Sequence, residues 1–471
     1  MSAMQRPETL DVFVDGDGEE LFVGTLRIYE RRGQSTTFEY ATTYIADARA
    51  YEIDPALPLQ TGVFSPASHK ALFNAFADSA PDRWGQNLMR RSERDRAREA
   101  NSKPRTLGET DFLLGVRDEL RQGALRLFDP LTDHYLAQEI DGVPALVDLP
   151  RLLAASDNIE DDTPENKEIR DLINAGASLG GARPKAAVRL ASGELAIAKF
   201  PCKDRDSWDV EAWESVESKL AQRSGIDTAT HELRNIAGRN VLVVTRFDRS
   251  GSRRIGFASG LTMLDSSDLE TRSYLEIGEV IERHSSKPDV ELLQLFRRIV
   301  FSILTSNTDD HLRNHGFLRQ AGRWRLSPAY DMNPNPDNAG TQATAIDYDD
   351  TTASIELALD VARQFRLSDI SAKAVVAEIV DATSTWRAVA TETGINQSEI
   401  HRMEGAFDTE QRSIARRIVG QPIAVRGDQS VVATTEVPQP RSPRGTPNGG
   451  QFASKRTGVD PVDLAEGGSG N

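Results

Sequence analysis

The stretch Ser306-Asn307-Thr308-Asp309-Asp310-His311-Leu312-Arg313-Asn314 decides how this chain is read. Asp309 and Asn314 stand five positions apart. Phosphoryl transfer asks for that spacing, with a carboxylate near the attacking hydroxyl and an amide that ligates Mg2+. Taken alone, Asn, Asp and His in a loop are common turn residues, and His311 and His315 read equally well as surface side chains. The flanking sequence supplies the rest. Leu292, Leu295, Phe296, Ile299 and Ile303 predict an apolar helix over 291–304 that delivers the chain into the loop. Phe317-Leu318 and Trp324 to Leu326 predict a pair of strands behind it. The segment Ser327-Pro328-Ala329-Tyr330-Asp331 then ends on a second acid suited to Mg2+. Hard oxygen donors of this kind fit Mg2+ better than zinc.

Upstream lies Ser178-Leu179-Gly180-Gly181-Ala182-Arg183-Pro184-Lys185. Adjacent glycines let backbone N–H groups approach an anion closely, and Arg183 and Lys185 add positive charge. Strands are predicted over 186–190 and 195–200, and on the second Leu195, Ile197 and Lys199 share a face. An ammonium beside aliphatic side chains must either reach water at the strand end or meet a carboxylate and a phosphate. Glu214 offers the carboxylate, on a helix predicted over 211–223 whose stripe is Trp213, Val216 and Leu220. An apolar strand over 240–244 then runs into Thr245-Arg246-Phe247-Asp248. Glycine loop, strand, strand with lysine, helix with glutamate, strand and polar connector is the order of parts in a protein-kinase nucleotide lobe.

The chain has 471 residues, which suggests about three folding units. Apolar residues at 38% leave enough to bury a core over most of that length, and a net charge of −16 argues against a free-standing nucleic-acid binder, though not against a local basic patch. A single cysteine, Cys202, excludes an intramolecular disulfide and an all-cysteine metal site. No apolar run is long enough to span a bilayer and the first residues lack a secretory core, so a cytoplasmic protein without a membrane partner is expected. Val12, Val14, Leu21 and Val23 through Tyr29 predict a hairpin about Asp15-Gly16-Asp17-Gly18, followed by a β-rich stretch over 36–45 and helices over 69–76 and 84–98. An acidic stretch over 157–168 reads as a solvated connection or a helix start, 355–416 as helices, and the Pro-, Gly-, Ser- and Thr-rich stretch from about Gly427 as a flexible tail.

These residues resemble the HipA family of serine/threonine kinases, the toxins of bacterial HipBA-type toxin–antitoxin pairs. The likeness is carried by the 178–185 and 307–314 stretches, by Ala198-Lys199-Phe200-Pro201, by Arg246-Phe247-Asp248-Arg249 and by Leu326 to Asp331. It implies an α+β, two-lobed protein-kinase-like fold with a small β-rich N-terminal subdomain, a mainly helical C-lobe and a disordered C-terminal tail. The expected boundaries are 1–125, 126–248, 249–425 and 426–471. It further implies ATP and Mg2+ as cofactors, with Asp309 as catalytic base, His311 and Arg313 beside it, and Asn314 and Asp331 as Mg2+ ligands. Arg313 stands where many relatives have Lys, which keeps the charge and alters the geometry. Gly180, Gly181, Ala182, Lys199, Glu214, Thr245, Phe247 and Asp248 would form the nucleotide site, and Ser178 would be the autophosphorylated serine. The implied partners are a protein substrate, by family analogy in the translation machinery, and a HipB-like DNA-binding antitoxin through which DNA is met indirectly. The residues leave open a small-molecule or lipid kinase of the same fold, and a catalytically idle scaffold in a repressor complex.

Overall fold

The alternating N-terminal segment forms an antiparallel sheet, because Leu10, Val12 and Val14 bury one face and Asp11, Phe13 and Asp15 turn the other way. The computed structural model describes residues 7–16, 18–30, 34–137, 148–160, 172, 183–203, 205–337 and 340–420. Strands β1 (Thr9–Gly16), β2 (Glu19–Tyr29), β3 (Ser35–Tyr40), β4 (Val63–Phe64), β5 (Arg126–Asp129) and β6 (His134–Tyr135) lie in the order β4-β3-β2-β1-β5-β6. The sheet therefore draws two strands from beyond residue 125, where the sequence reading placed a boundary. Of the helix expected over 69–76, only Asn74–Asp78 forms. The helix expected over 84–98 is present as Arg83–Glu99, with Asp82 as its cap accepting from Gly85 N at 2.8 Å.

A second antiparallel sheet, β7 (Lys185–Arg189), β8 (Leu195–Lys199), β9 (His231–Ile236) and β10 (Arg239–Thr245), has the order β7-β8-β10-β9. Its back is made by Ala186, Val188, Ala196, Ala198, Val241 and Val243, packed against Trp84 and Leu88 of Arg83–Glu99 and against Leu149–Glu160. The bulkier Ile197 lies on the opposite face with Lys199. Small side chains on the back let a helix approach closely, and the row that includes the lysine is left facing the other way.

A short ladder, β11 (Arg249–Ser250) with β12 (Arg253–Arg254), leads to a third sheet of β13 (Gly256–Ser259), β14 (Gly316–Gln320) and β15 (Arg323–Leu326). Around it the helices Val210–Arg223, Tyr274–His284, Pro288–Thr305 and Asp369–Ser384 share the largest apolar core. Trp213, Trp386 and Phe407 lock this core, with the Trp386 and Phe407 rings stacked at 4.6 Å. Among the described residues no helix is long and apolar enough to cross a membrane. The tail over 426–471 lies outside the described residues.

One buried group inside this core should report on it. Glu217 faces Thr305 and feels Arg412, yet burial dominates and raises its carboxyl to about 8. A carboxyl that binds its proton more tightly folded than unfolded contributes stability below its unfolded pKa, and that contribution is lost as pH rises through the folded value. Glu217→Gln should therefore leave stability near pH 4 unchanged and raise it by a few kcal/mol at about pH 8, read by urea denaturation. Equal stabilities at both pH values would contradict the buried neutral carboxyl.

Candidate functional site

Lys199 ends β8, and its Nζ donates to Glu214 Oε1 at 2.7 Å, to Glu214 Oε2 at 2.9 Å and to Asp331 Oδ1 at 2.7 Å. The two carboxylates come from opposite directions. Glu214 rides on Val210–Arg223, whose neighbouring Trp213 is fully buried in the helical core, so its rotation is set by packing. Asp331 follows β15 with a backbone φ of +59°, a left-handed conformation that a non-glycine residue holds only under constraint from its surroundings. Burial opposes the Lys199 charge, but the two acids outweigh it and hold its ammonium well above the ordinary range. The same pairing overcomes burial at Asp331, which is held down at about 2, while burial keeps Glu214 raised.

Pro288–Thr305 stops where Ser306 adopts φ +55°, and the chain turns into the Asp309 loop. Asn314 Nδ2 donates to the Asp309 carbonyl at 3.1 Å, closing the loop across the five-residue spacing. Asp309 itself is exposed. Partial withdrawal from water, with the charges of Asp331 and Asp310, raises its carboxyl against the pull of His311. His311 N bonds back to the Asp309 carbonyl at 2.9 Å, and among the described residues nothing pairs with its buried Nδ1.

Two of the expected site residues are engaged by protein partners. Arg313 does not point a free guanidinium at the cleft; Asp268 holds it at 3.0 and 3.1 Å, with Asp78 a further 3.6 Å away. Asp248 is buried and accepts from Arg246, Arg249 and Gly123 N, so its carboxylate ties the connector to the N-terminal segment. Thr245 and Phe247 stand at the end of β10, with Thr245 N fixed by Thr230 O and the Phe247 ring 5.4 Å from Tyr330. Ser178, Gly180, Gly181 and Ala182 lie outside the described residues.

Sequence reasoning missed the support beneath the loop. Asp310 is buried and accepts from Tyr274 Oη at 2.6 Å, with His315 Nε2 at 3.2 Å; together they hold its carboxyl low despite burial. Its neighbour in the motif hid it, since two adjacent acids in a loop give no sign of which one turns inward.

Among the described residues no group of three or more His, Cys, Asp or Glu side chains could hold a metal by itself. Asn314 and Asp331 instead offer one amide oxygen and one carboxylate, a hard and incomplete set that fits Mg2+ sharing its coordination with phosphates and water.

A model of the HipA N-terminal domain matches residues 10–106, and one of the HipA-like C-terminal domain matches 177–387. The chain belongs to the HipA family. Its fold is similar to that of a chain from the Shewanella oneidensis MR-1 toxin–antitoxin complex of HipA, HipB and operator DNA. The TM-score is 0.61 at 16% identity, covering 88% of this chain and 100% of that one. Among curated proteins, "Putative kinase Y4mE" of Sinorhizobium fredii is 24% identical over 51% of this chain and 56% of its own length. "Putative kinase Y4dM" of the same organism is 29% identical over 35% and 41%. The HipA-family chain thus spans about half the length of the curated relatives it matches.

Lys199→Met should destabilise the fold by roughly 3–5 kcal/mol, since two carboxylates lose their shared cation. The deficit should grow from about pH 5 to about pH 8, because Glu214, already raised by burial, must then give up its proton inside the protein. Denaturation of both proteins across that range checks it; a deficit flat in pH would contradict the shared-cation arrangement.

Proposed function

We propose that this HipA-family chain is an ATP-dependent serine/threonine protein kinase acting as the toxin of a toxin–antitoxin pair. The observation that carries the reading is the convergence of Lys199, Glu214 and Asp331, residues as much as 132 positions apart, within 2.7 Å contacts beside the Asp309–Asn314 loop. Such a cluster of opposite charges is the arrangement that receives a metal-chelated triphosphate.

Lys199 binds the ATP phosphates while Glu214 keeps its ammonium in place. Thr245 and Phe247 meet the adenine through their backbone. Asn314 and Asp331 would hold Mg2+, which when bound would offset charge on the phosphate oxygens. Asp309, exposed and with a raised carboxyl, takes the proton of the serine or threonine hydroxyl as its oxygen attacks the γ-phosphorus and ADP leaves. His311 lies beside that carboxylate, and Arg313 holds the loop through Asp268. Positioning and charge neutralisation supply the rate, and little covalent work falls to the protein.

A HipB-like antitoxin is the proposed neutralising partner, in keeping with the fold shared with the Shewanella HipA–HipB assembly. DNA would then be met only through that partner, in the cytoplasm, and the substrate would belong to the translation machinery as the family likeness implies. Ser178 is the proposed autophosphorylation site, where a phosphate of about −1.5 to −2 charges would repel the phosphates of ATP.

Asp309→Ala should abolish phosphate transfer from labelled ATP to protein, at least a hundredfold down, with an unchanged melting temperature. Wild-type incorporation by that variant would contradict the assignment. After incubation with Mg-ATP, mass spectrometry of the unaltered chain should place a phosphate on Ser178; an active enzyme with unmodified Ser178 would remove the regulatory part.

A further inference from the structure

The segment 259–268 lies between the N-terminal module and the Asp309 loop and is bonded to both. Asp78, the last residue of Asn74–Asp78, accepts from Ser259 N at 2.7 Å, Ser259 Oγ at 2.8 Å and Thr262 Oγ1 at 2.5 Å. Farther along, Asn74 Nδ2 donates to Ser266 O at 3.2 Å, and Lys70 Nζ to that carbonyl and to Asp265 at 3.2 Å each. On the loop side, Gly260 N donates to His315 O at 2.6 Å. A Cβ on Gly260 would come within 2.9 Å of Leu312 O, so the segment lies directly against the loop.

Arg313 is where these two sets of contacts meet. Asp268 accepts from its Nε and Nη2, and the remaining Nη1 lies 3.6 Å from Asp78 Oδ1. A planar guanidinium fork can face two acids at once, which a point-like ammonium on a flexible stem does less well. The two acids differ in their setting, for the Asp268 side chain is 68% exposed and that of Asp78 only 5%. An exposed pair exchanges readily with water and fixes little. Asp78 is itself held by its donors from Ser259 and Thr262, and so gives the guanidinium a rigid reference. The Arg313 carbonyl meanwhile accepts from Tyr330 Oη at 2.6 Å, beside Asp331. A shift of Arg313 therefore reaches both ends of the metal-ligand pair.

We propose that Asp78 is a positioning residue for phosphoryl transfer, setting the Asp309–Asn314 loop from the N-terminal module through Arg313. This rests on the kinase reading. It adds that the N-terminal module governs the rate of the chemical step and not the affinity for nucleotide. Misplacing a reacting group by about 1 Å can cost on the order of a hundredfold in rate, so a remote acid can matter this much.

The rate of transfer from saturating labelled Mg-ATP to a dephosphorylated protein extract tests it. Asp78→Asn should slow transfer about tenfold or more, with the Kd for Mg-ATP unchanged. Arg313→Gln, at a half-buried position, should show the same loss and keeps the test open should Asp78→Asn fail to fold. On top of Arg313→Gln, Asp78→Asn should cost less than about twofold more. A parent-like rate in either single variant would overturn the inference. So would the full loss repeated in the double variant, which would make Asp78 a support of the fold alone, or a loss of Mg-ATP affinity in step with the rate. Asp309→Ala run in parallel separates the two readings. Transfer surviving in that variant overturns the kinase reading, whereas its loss beside a parent-like Asp78→Asn overturns this inference alone.

Discussion

The structure turns on one ammonium held between two carboxylates. Lys199 is half-buried, and a cation withdrawn from water is tolerated only when its charge is met. Glu214 and Asp331 meet it at 2.7 Å each, and they belong to parts of the chain that share no local structure. To bring them together, Val210–Arg223 must pack by Trp213 into the helical core, and the chain beyond β15 must take the left-handed conformation at Asp331. The sheet, the helix and the loop, each positioned by its own packing, are thereby joined at a single electrostatic contact.

Around this contact the N-terminal part of the chain behaves as a brace. Asp82 reaches Lys185, Asp78 receives Ser259 and Thr262, and Gly123 donates to Asp248 inside a group of buried arginines. Arg246 and Arg249 in turn cap carbonyls of Leu120, Arg121 and Gly123. Polar contacts of this number across buried surface fix geometry more than they add stability, because each charge is removed from water before it is paired. A scaffold that must hold a triphosphate needs that rigidity.

Much of the site was legible because its residues sit in short motifs with fixed spacing. Asp309 and Asn314 are bonded across their loop, and Lys199, Glu214 and Asp331 meet as their order along the chain implied. The parts that escaped were those whose partners are remote. Asp248 follows the hinge strand and read as a nucleotide contact, but the arginines that claim it are identified only by the fold. The Asp310 carboxylate turns inward to Tyr274, a residue 36 positions away. Both faces of β8 are covered, Ala196 and Ala198 beneath the helices and Leu195 with Leu120 and Ala187 on the other side, which alternation alone does not reveal. The first sheet ran past residue 125 because β5 is four residues long, too short for its alternation to stand out beside the hairpin.

The most direct test of the shared-cation site is a calorimetric titration of ATP, with and without Mg2+, into the unaltered chain and into Asp331→Asn. The account expects micromolar binding with Mg2+, at least tenfold weaker binding without it, and no such Mg2+ dependence in the variant. Binding by Asp331→Asn that matches the unaltered chain and keeps its Mg2+ dependence, or no heat from ATP with either protein, would contradict it.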